Sequence, residues 1–214
     1  MIWRKEDIVK LEKRYRAAFI NSINGFKSAN LIGTRGIEVN TNLSIVSSLI
    51  HLGSNPALLG LVFRPDSVER HTLENIRSTG FFTANHVHAE LIDRAHQTSA
   101  NYPKDVSEFD ACGIKLEYIE NFFAPFVKES KIKIGLQFEE EHKLMNDTVL
   151  VVGSVHLVEF PDNALLQDGF LDIEFAETAA ISGLDSYHTT KSLRRLSYAT
   201  TDKDPVVIQS APSA

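Results

Sequence analysis

Residues 40–72 read NTNLSIVSSLIHLGSNPALLGLVFRPDSVERHT, and this stretch decides the fold. A polar strand comes first, carrying Asn40, Thr41, Asn42, Ser44, Ser47 and Ser48. The Gly53-Ser54-Asn55-Pro56 segment is a turn by composition. Residues 57–63 then form an apolar strand that ends on Arg64, and its near-continuous apolar character predicts burial on both faces. A second polar cluster, Glu69-Arg70-His71-Thr72, opens a helical pattern. Hydroxyls and amides on a half-buried strand are costly unless something accepts their hydrogen bonds. Two such clusters flanking one apolar strand point to a polar ligand with a phosphate end.

Working outward, residues 29–34 read as a strand that turns at Thr34-Arg35-Gly36 into a second strand over 38–49. Residues 72–78 read as a short helix, with Thr72 placed to cap it and Asn75 three residues on. Gly80 ends that helix, and 81–87 is the next strand. Upstream, Ile8, Leu11, Tyr15, Ala18 and Phe19 recur at helical spacing, which predicts one amphipathic helix over 6–21 with Gly25 as its stop. Downstream, 89–98 is helical, and 99–107, around Pro103, is a polar loop long enough to serve a function. Strands are expected at 114–120, 131–139 and 148–160, with 139–143 as a charged hairpin tip. Residues 191–198 are short and basic, and the tail from 201 is expected to fray. Many short strands with few helices give a mainly β fold with peripheral helices, a closed or nearly closed barrel. Periodicity alone does not separate a barrel from a sandwich.

The same residues carry a resemblance. The chain resembles the FMN-binding split-barrel family of flavin reductases and flavoprotein oxygenases. That family shows a short strand ending in Thr, a small-polar strand, a Pro-led strand, and then T..NI...G.F..N. Here the pieces are Leu31-Ile32-Gly33-Thr34, residues 40–48, residues 56–64, and the run from Thr72 through Asn75-Ile76, Gly80-Phe81 and Asn85. The likeness runs from about residue 29 to 114 and, more loosely, to 160. One departure stands in the family's loop between Ser48 and Pro56, often shorter, which here carries His51-Leu52-Gly53-Ser54-Asn55.

The resemblance implies a split β-barrel at 29–160, an N-terminal helix packed on it at 1–28, and a C-terminal extension of the same domain at 161–214. It implies FMN as cofactor, with NADH or NADPH as a transient substrate that donates hydride to flavin N5 and a small-molecule electron acceptor downstream. It implies a homodimer. The phosphate would fall to Ser47, Ser48, Arg70, His71 and Thr72, aided by Arg64. The ribityl hydroxyls would fall to Asn42 and Ser44. The backbone at Thr41, Asn42 and Leu43 would meet the ring, with Asn85 at the end of a neighbouring strand. Each has a plainer reading: Ser47-Ser48 as an exposed strand face, Thr72 as a helix cap, Arg64 and Arg70 as surface charges. His96 is the one candidate for a catalytic group at the flavin edge, with Tyr102 beside it at the loop and Tyr187 stacking nearby. Its plain reading is a histidine bonded within a surface helix.

Composition bounds the alternatives. The chain has 214 residues, and 43% hydrophobic content supports an ordinary core. A net charge of −6 argues against nucleic acid as a partner. The apolar runs are too short to span a membrane, and the N-terminus has no signal-peptide core, so a cytoplasmic address is expected. Cys112 is the single cysteine, so no intrachain disulfide forms, and a small buried apolar role is expected for it. His86 and His88 alternate on one strand, but no further ligands cluster with them, and no metal is expected. No G-x-S-x-G elbow, Walker A or G-x-G-x-x-G sequence occurs, so any nicotinamide nucleotide must bind without a Rossmann fingerprint. A flavin or haem store without turnover is the alternative from another class; an oxygenase would need a substrate pocket over the flavin.

Overall fold

The computed structural model describes residues 1–38, 40–65 and 70–208. Val39 of the predicted second strand, Glu69 of the second polar cluster and residues 209–214 of the tail lie outside the described residues.

The chain begins with helices α1 (Lys5–Lys10) and α2 (Lys13–Ile23), not with one helix. Leu11 is extended, and the Glu12 carboxylate accepts from the N–H groups of Arg14 and Tyr15, so it restarts the helix as an N-cap. Asn24 follows as the C-cap, and Gly25, at φ +77°, is the stop that was expected. Neither helix buries a residue.

The strands that follow are β1 (Lys27–Ser28), β2 (Asn30–Arg35), β3 (Thr41–Val46), β4 (Leu49–Ser54) and β5 (Ala57–Phe63). Helix α3 (His71–Thr79) and strand β6 (Phe81–His86) come next, then helices α4 (Ile92–Gln97) and α5 (Glu108–Ala111). Strands β7 (Leu116–Glu117), β8 (Phe126–Val127), β9 (Lys133–Lys143) and β10 (Val149–Glu159) lead to a small C-terminal hairpin, β11 (Ala180–Ser182) and β12 (Ser186–His188). Seven strands form one antiparallel sheet in the order β3-β2-β6-β9-β10-β5-β4. Its two end strands, β3 and β4, are separated in sequence by Ser47 and Ser48 alone. Three peptide steps reach at most about 11 Å, so the two ends of the sheet must meet. The sheet is therefore curled into a barrel that stays split between β3 and β4. Ser48 helps the bend by donating its hydroxyl to the Val62 carbonyl at 2.8 Å.

The core follows from the pleat. Ile32, Leu61, Phe82, Ala84, Leu136 and Val151 fill one side of the sheet, where α3 adds Leu73 and Ile76. Leu31, Leu43 and Val127 fill the other, with Leu91, Ala95, Phe109 and Cys112 laid over them. Adjacent Leu31 and Ile32 thus belong to different clusters, as side chains on a strand alternate faces. Cys112 is 8% exposed and is a free thiol, as its plain reading required. Gly33 permits a contact no other residue would: a Cβ there would lie 2.3 Å from the Pro125 carbonyl oxygen. Gly80, at φ +77°, closes α3 in the left-handed conformation.

Several expectations are corrected. The strand expected over 38–49 stops at Val46, because the chain bends there to begin β4. β5 is fully covered only in its second half; Ala57 is exposed, since β4 beside it is the sheet's edge. The strand at 114–120 shrinks to β7, which pairs only with β8. Residues 139–143 are no hairpin tip but the end of β9, and the turn lies beyond it, where the Leu144 N–H donates to the Thr148 carbonyl at 2.8 Å. The basic segment and the start of the tail form a strand pair, Arg195–Leu196 with Val207–Ile208, where fraying was expected from 201. Arg195 there meets Asp168 at 2.6 Å and lies over the Phe170 ring.

His86 ends β6 with its Nδ1 3.0 Å from the Thr178 hydroxyl, and burial pushes its pKa down to about 4. Its folded pKa lies below the ordinary value of about 6.5. The unfolded chain therefore takes up a proton first as pH falls, and stability drops across the window from about 6.5 to 4. The expected loss is roughly 2–3 kcal/mol at the lower end. Urea unfolding at pH 7 and pH 4.5 checks this: His86→Gln should show a smaller pH-dependent loss than the native chain, and parallel losses would remove His86 as the cause.

Candidate functional site

The site begins at the free edge of β3. Leu43 and Ile45 turn their N–H groups away from β2, and no strand lies beyond to accept them. Side chains do so instead. The Leu43 N–H donates to the Glu108 carboxylate and the Ile45 N–H to the Thr98 hydroxyl, both at 2.9 Å. Thr41 shares a 2.8 Å hydrogen bond with Ser107. Residues 98–108 thus run as a strap along the edge. Burial raises the Glu108 carboxyl above the usual range, opposed by the Leu43 N–H and by the charge of His71.

The other face of β3 carries Asn42 and Ser44. Asn42 donates to the Thr72 hydroxyl at 2.9 Å, and Ser44 shares a hydrogen bond of the same length with it. Asn75, one turn on, donates to the Thr34 hydroxyl at 3.1 Å. These bonds pin α3 to β2 and β3. Thr72 is therefore no helix cap. Arg70 holds the N-cap position without a side-chain cap bond, as its guanidinium has no acceptor to offer, and Thr72 faces the sheet.

Between α3, the β2–β3 turn and the strap lies a groove of about 350 Å³, near the lower end of the range for small-molecule sites. Thr41, Asn42 and His71 line it, with Glu74, Asn75 and Ser78 from α3, Gly36, Ile37, Glu38 and Asn40 from the turn, and Lys104 from the strap. Lys104 donates to Glu74 at 2.6 Å, which ties the strap to α3. Arg70 stands at the start of α3 with its Nε buried and no hydrogen-bond partner among the described residues.

The structure brings some predicted site residues together and disperses others. Thr41, Asn42 and His71 line the groove, and Ser44 and Thr72 lie behind Asn42. Ser47 and Ser48 sit at the β3–β4 bend, half-buried, and Arg64 is exposed at the end of β5. Leu43 has its side chain in the core and its N–H committed to Glu108. Asn85 is corrected outright. It is fully buried, donates to the Leu31 carbonyl and the Thr83 hydroxyl, and accepts from the Val127 N–H. Its amide locks β6 to β2 and β8 with both of its N–H groups committed, and it does not line the groove. His96 Nδ1 and the Tyr187 hydroxyl lie 2.9 Å apart with the rings edge-on, and Gln97 donates to the Tyr102 hydroxyl at 3.1 Å. Glu38, Glu74, Ser78 and Lys104 were not singled out from the sequence. Glu74 and Ser78 follow from His71 at helical spacing, but nothing local marked Lys104.

Comparison with known proteins places this geometry. Residues 27–174 match the family model described as the flavin reductase like domain. The chain is 54% identical to a split-barrel protein of Shewanella frigidimarina NCIMB 400, provisionally assigned as a flavin reductase; the match covers 93% of this chain and 100% of that one at a TM-score of 0.89. Nitrilotriacetate monooxygenase component B of Bacillus cereus shares the fold at 16% identity, covering 92% of this chain and 98% of that one, TM-score 0.81. An FMN-binding protein of Thermus thermophilus, solved with bound 1-cyclohex-2-enone, does so at 19% identity, 78% and 88% coverage, TM-score 0.65. Curated relatives from Aquifex aeolicus and Methanothermobacter thermautotrophicus are 24% and 29% identical over 60% and 50% of this chain, and the chain spans 64% and 52% of their own lengths. Among the described residues no helix is long and apolar enough to cross a membrane. A curled, split antiparallel sheet, a polar groove beside its open seam and a family match over most of the chain give one conclusion: this chain belongs to the flavin reductase-like family and has its split-barrel fold.

Proposed function

We propose that this protein binds FMN and works as a flavin reductase-like oxidoreductase, taking hydride from NADH or NADPH and passing electrons to a small acceptor. Family membership supports the flavin-linked class. The observation that carries FMN in particular is the Arg70 Nε, a buried donor with no partner among the described residues, at the start of a nine-residue helix. A helix start offers free N–H groups and the positive end of the helix dipole, and a phosphate dianion adds the acceptor that such an arginine lacks. The hydroxyls and amides of Thr41, Asn42 and Asn75 in the groove suit ribityl hydroxyls. Apart from Gly36 and Ile37 the lining residues carry polar side chains, which suits the phosphate and ribityl half of FMN. FMN, when bound, supplies the hydride acceptor. The chain's own residues supply position and charge.

The charge of His71 acts on the Glu108 carboxyl. His96 and Tyr187 hold each other at the C-terminal end of α4, two residues before Thr98 grips the β3 edge. In this reading they border the entrance by which a nicotinamide or substrate ring reaches the flavin, and the loop at 99–107 yields to admit it. The homodimer belongs to the proposal as well. Ile2, Val9, Tyr15, Ile20, Ile23 and Phe26 are exposed on and beside α1 and α2, which bury nothing within the chain. Such a face suits a second copy in a C2 pair. A cytoplasmic setting, where reduced nicotinamide nucleotides are available, completes it.

The alternative of a flavin store without turnover is separated by steady-state oxidation of NADH or NADPH with added FMN: turnover supports the enzyme, and none supports the store. Ligand released by heat should have the mass of FMN; FAD or haem at full occupancy would sink the cofactor assignment. Arg70→Ala should weaken FMN by about 1.5–3 kcal/mol, the worth of a charge-assisted hydrogen bond, and an unchanged dissociation constant would remove Arg70 from the site. His96→Ala should lower turnover or raise the reductant's KM while FMN affinity holds. Loss of FMN would instead put His96 in the cofactor shell, and no effect would make it ordinary surface. Sedimentation at micromolar concentration should give a dimer; a monomer that retains FMN contradicts the assembly.

A further inference from the structure

The segment that leads into β8 is rich in rings. Residues 118–127 read YIENFFAPFV, and the sheet holds their second half firmly. The Thr83 hydroxyl donates to the Pro125 carbonyl at 2.7 Å, and the Val127 N–H donates to the Asn85 side chain at 3.0 Å. Glu120 and Asn121 stand side by side in the left-handed region, at φ +47° and +61°. Residues other than glycine keep that conformation only where their surroundings over-determine it. Beyond this turn Phe122 stands edge-on to Phe81, with centroids 5.6 Å apart, and Phe123 lies against the same ring at 6.1 Å. The result is a fixed aromatic platform on the sheet.

Arg35, the last residue of β2, lies on this platform. Its Cζ is 4.9 Å from the centre of the Phe123 ring and 6.0 Å from that of Tyr118. Its guanidinium makes no hydrogen bond or ion pair among the described residues; Nε is buried, and the two Nη groups are not sealed with it. Tyr118 is 45% exposed, so the platform is open on that side. The place is separate from the groove. Thr34 bonds Asn75 of α3, and successive side chains on a strand point to opposite faces, so Arg35 turns away from α3. Arg35, Tyr118 and Phe123 are absent from the groove's lining. A ring face attracts the guanidinium, yet it does not accept the fork of N–H groups as a carboxylate does. We propose that Arg35, Tyr118 and Phe123 form a second binding site, for a small aromatic carboxylate. The carboxylate meets the Nη groups of Arg35, and the ligand's ring lies against the open side of Tyr118. A bare oxyanion gains the fork alone. The inference stands on this geometry and not on the cofactor assignment.

Calorimetric titration with benzoate tests this, on the full chain with and without FMN. Benzoate should bind with the same affinity in both cases, because its site lies outside the groove. Acetate and inorganic phosphate should bind at least about tenfold more weakly, for want of a ring. Arg35→Gln should weaken benzoate at least about tenfold, the worth of a hydrogen bond to a charged group. Arg35→Lys should recover only part of that loss, since an ammonium lacks the planar fork. Tyr118→Leu should weaken benzoate and leave acetate unchanged. Thermal unfolding of each variant checks that it is folded. Benzoate that does not bind, phosphate or acetate that binds as tightly, benzoate that competes with FMN, or an affinity that Arg35→Gln leaves unchanged would each overturn the inference. If Arg35→Gln does not fold, Tyr118→Leu, at an exposed position, decides: an unchanged benzoate affinity there overturns it as well.

Discussion

An edge strand must find partners for the backbone groups that face away from its sheet, and β3 finds them in side chains. This is the constraint on which the rest of the molecule turns. The barrel is split beside β3, so no strand serves Leu43 or Ile45 on that side. Glu108 and Thr98 serve them, and both come from the segment after α4. Once that segment is laid along the edge, Ser107 reaches Thr41 and Lys104 reaches Glu74. The groove exists because the strap must lie there. Satisfying the split edge and walling a binding site are one structural act.

The same economy governs the polar residues of β3 and α3. A ligand site needs hydroxyls and amides that point inward, and so does the docking of a helix onto a polar strand. Thr72 serves the second need through Asn42 and Ser44, and Asn75 does so through Thr34. At the margin of this network His71 and the amides of Asn42 and Asn75 line the groove, and Arg70 stands at the start of α3 with a buried Nε that has no hydrogen-bond partner among the described residues. A network satisfied within the protein holds the marginal groups still, and that rigidity is what a binding site needs from the layer behind it.

This division explains how far the sequence could be read. Helix α3, its Gly80 stop, the turn at Asn55-Pro56 and the long pair β9 and β10 were legible, because each rests on local periodicity or on one turn residue, whereas β4, which takes in Gly53 and Ser54, was read as loop and turn. The break at Leu11 and Glu12 was missed, since an apolar spacing that continues through a break hides it. Asn85 was misread for a deeper reason. An amide that locks three strands and an amide that waits for a ligand look identical in one dimension. The contact of Glu108 with Leu43 spans 65 positions, and neither residue's neighbourhood announces the other. Thr41, Asn42 and His71 line the groove, and the order of the family's elements is what singled them out. Lys104 arrives only through the path of the strap.

Glu108 shows what the split edge costs and why the cost is tolerated. Burial raises its carboxyl, so in the folded chain its ionised form is held at a penalty that the unfolded chain does not face. A raised carboxylate pKa works against folding above the unfolded value. Yet without an acceptor there, the Leu43 N–H would be an orphan in a buried setting, at about 1–3 kcal/mol. An amide could accept the same hydrogen bond with no charge. A carboxylate differs in one respect: it also sets a negative charge opposite His71, at the end of the groove where an anion is proposed to sit. The group that closes the sheet's edge thereby also sets the charge of the groove beside it.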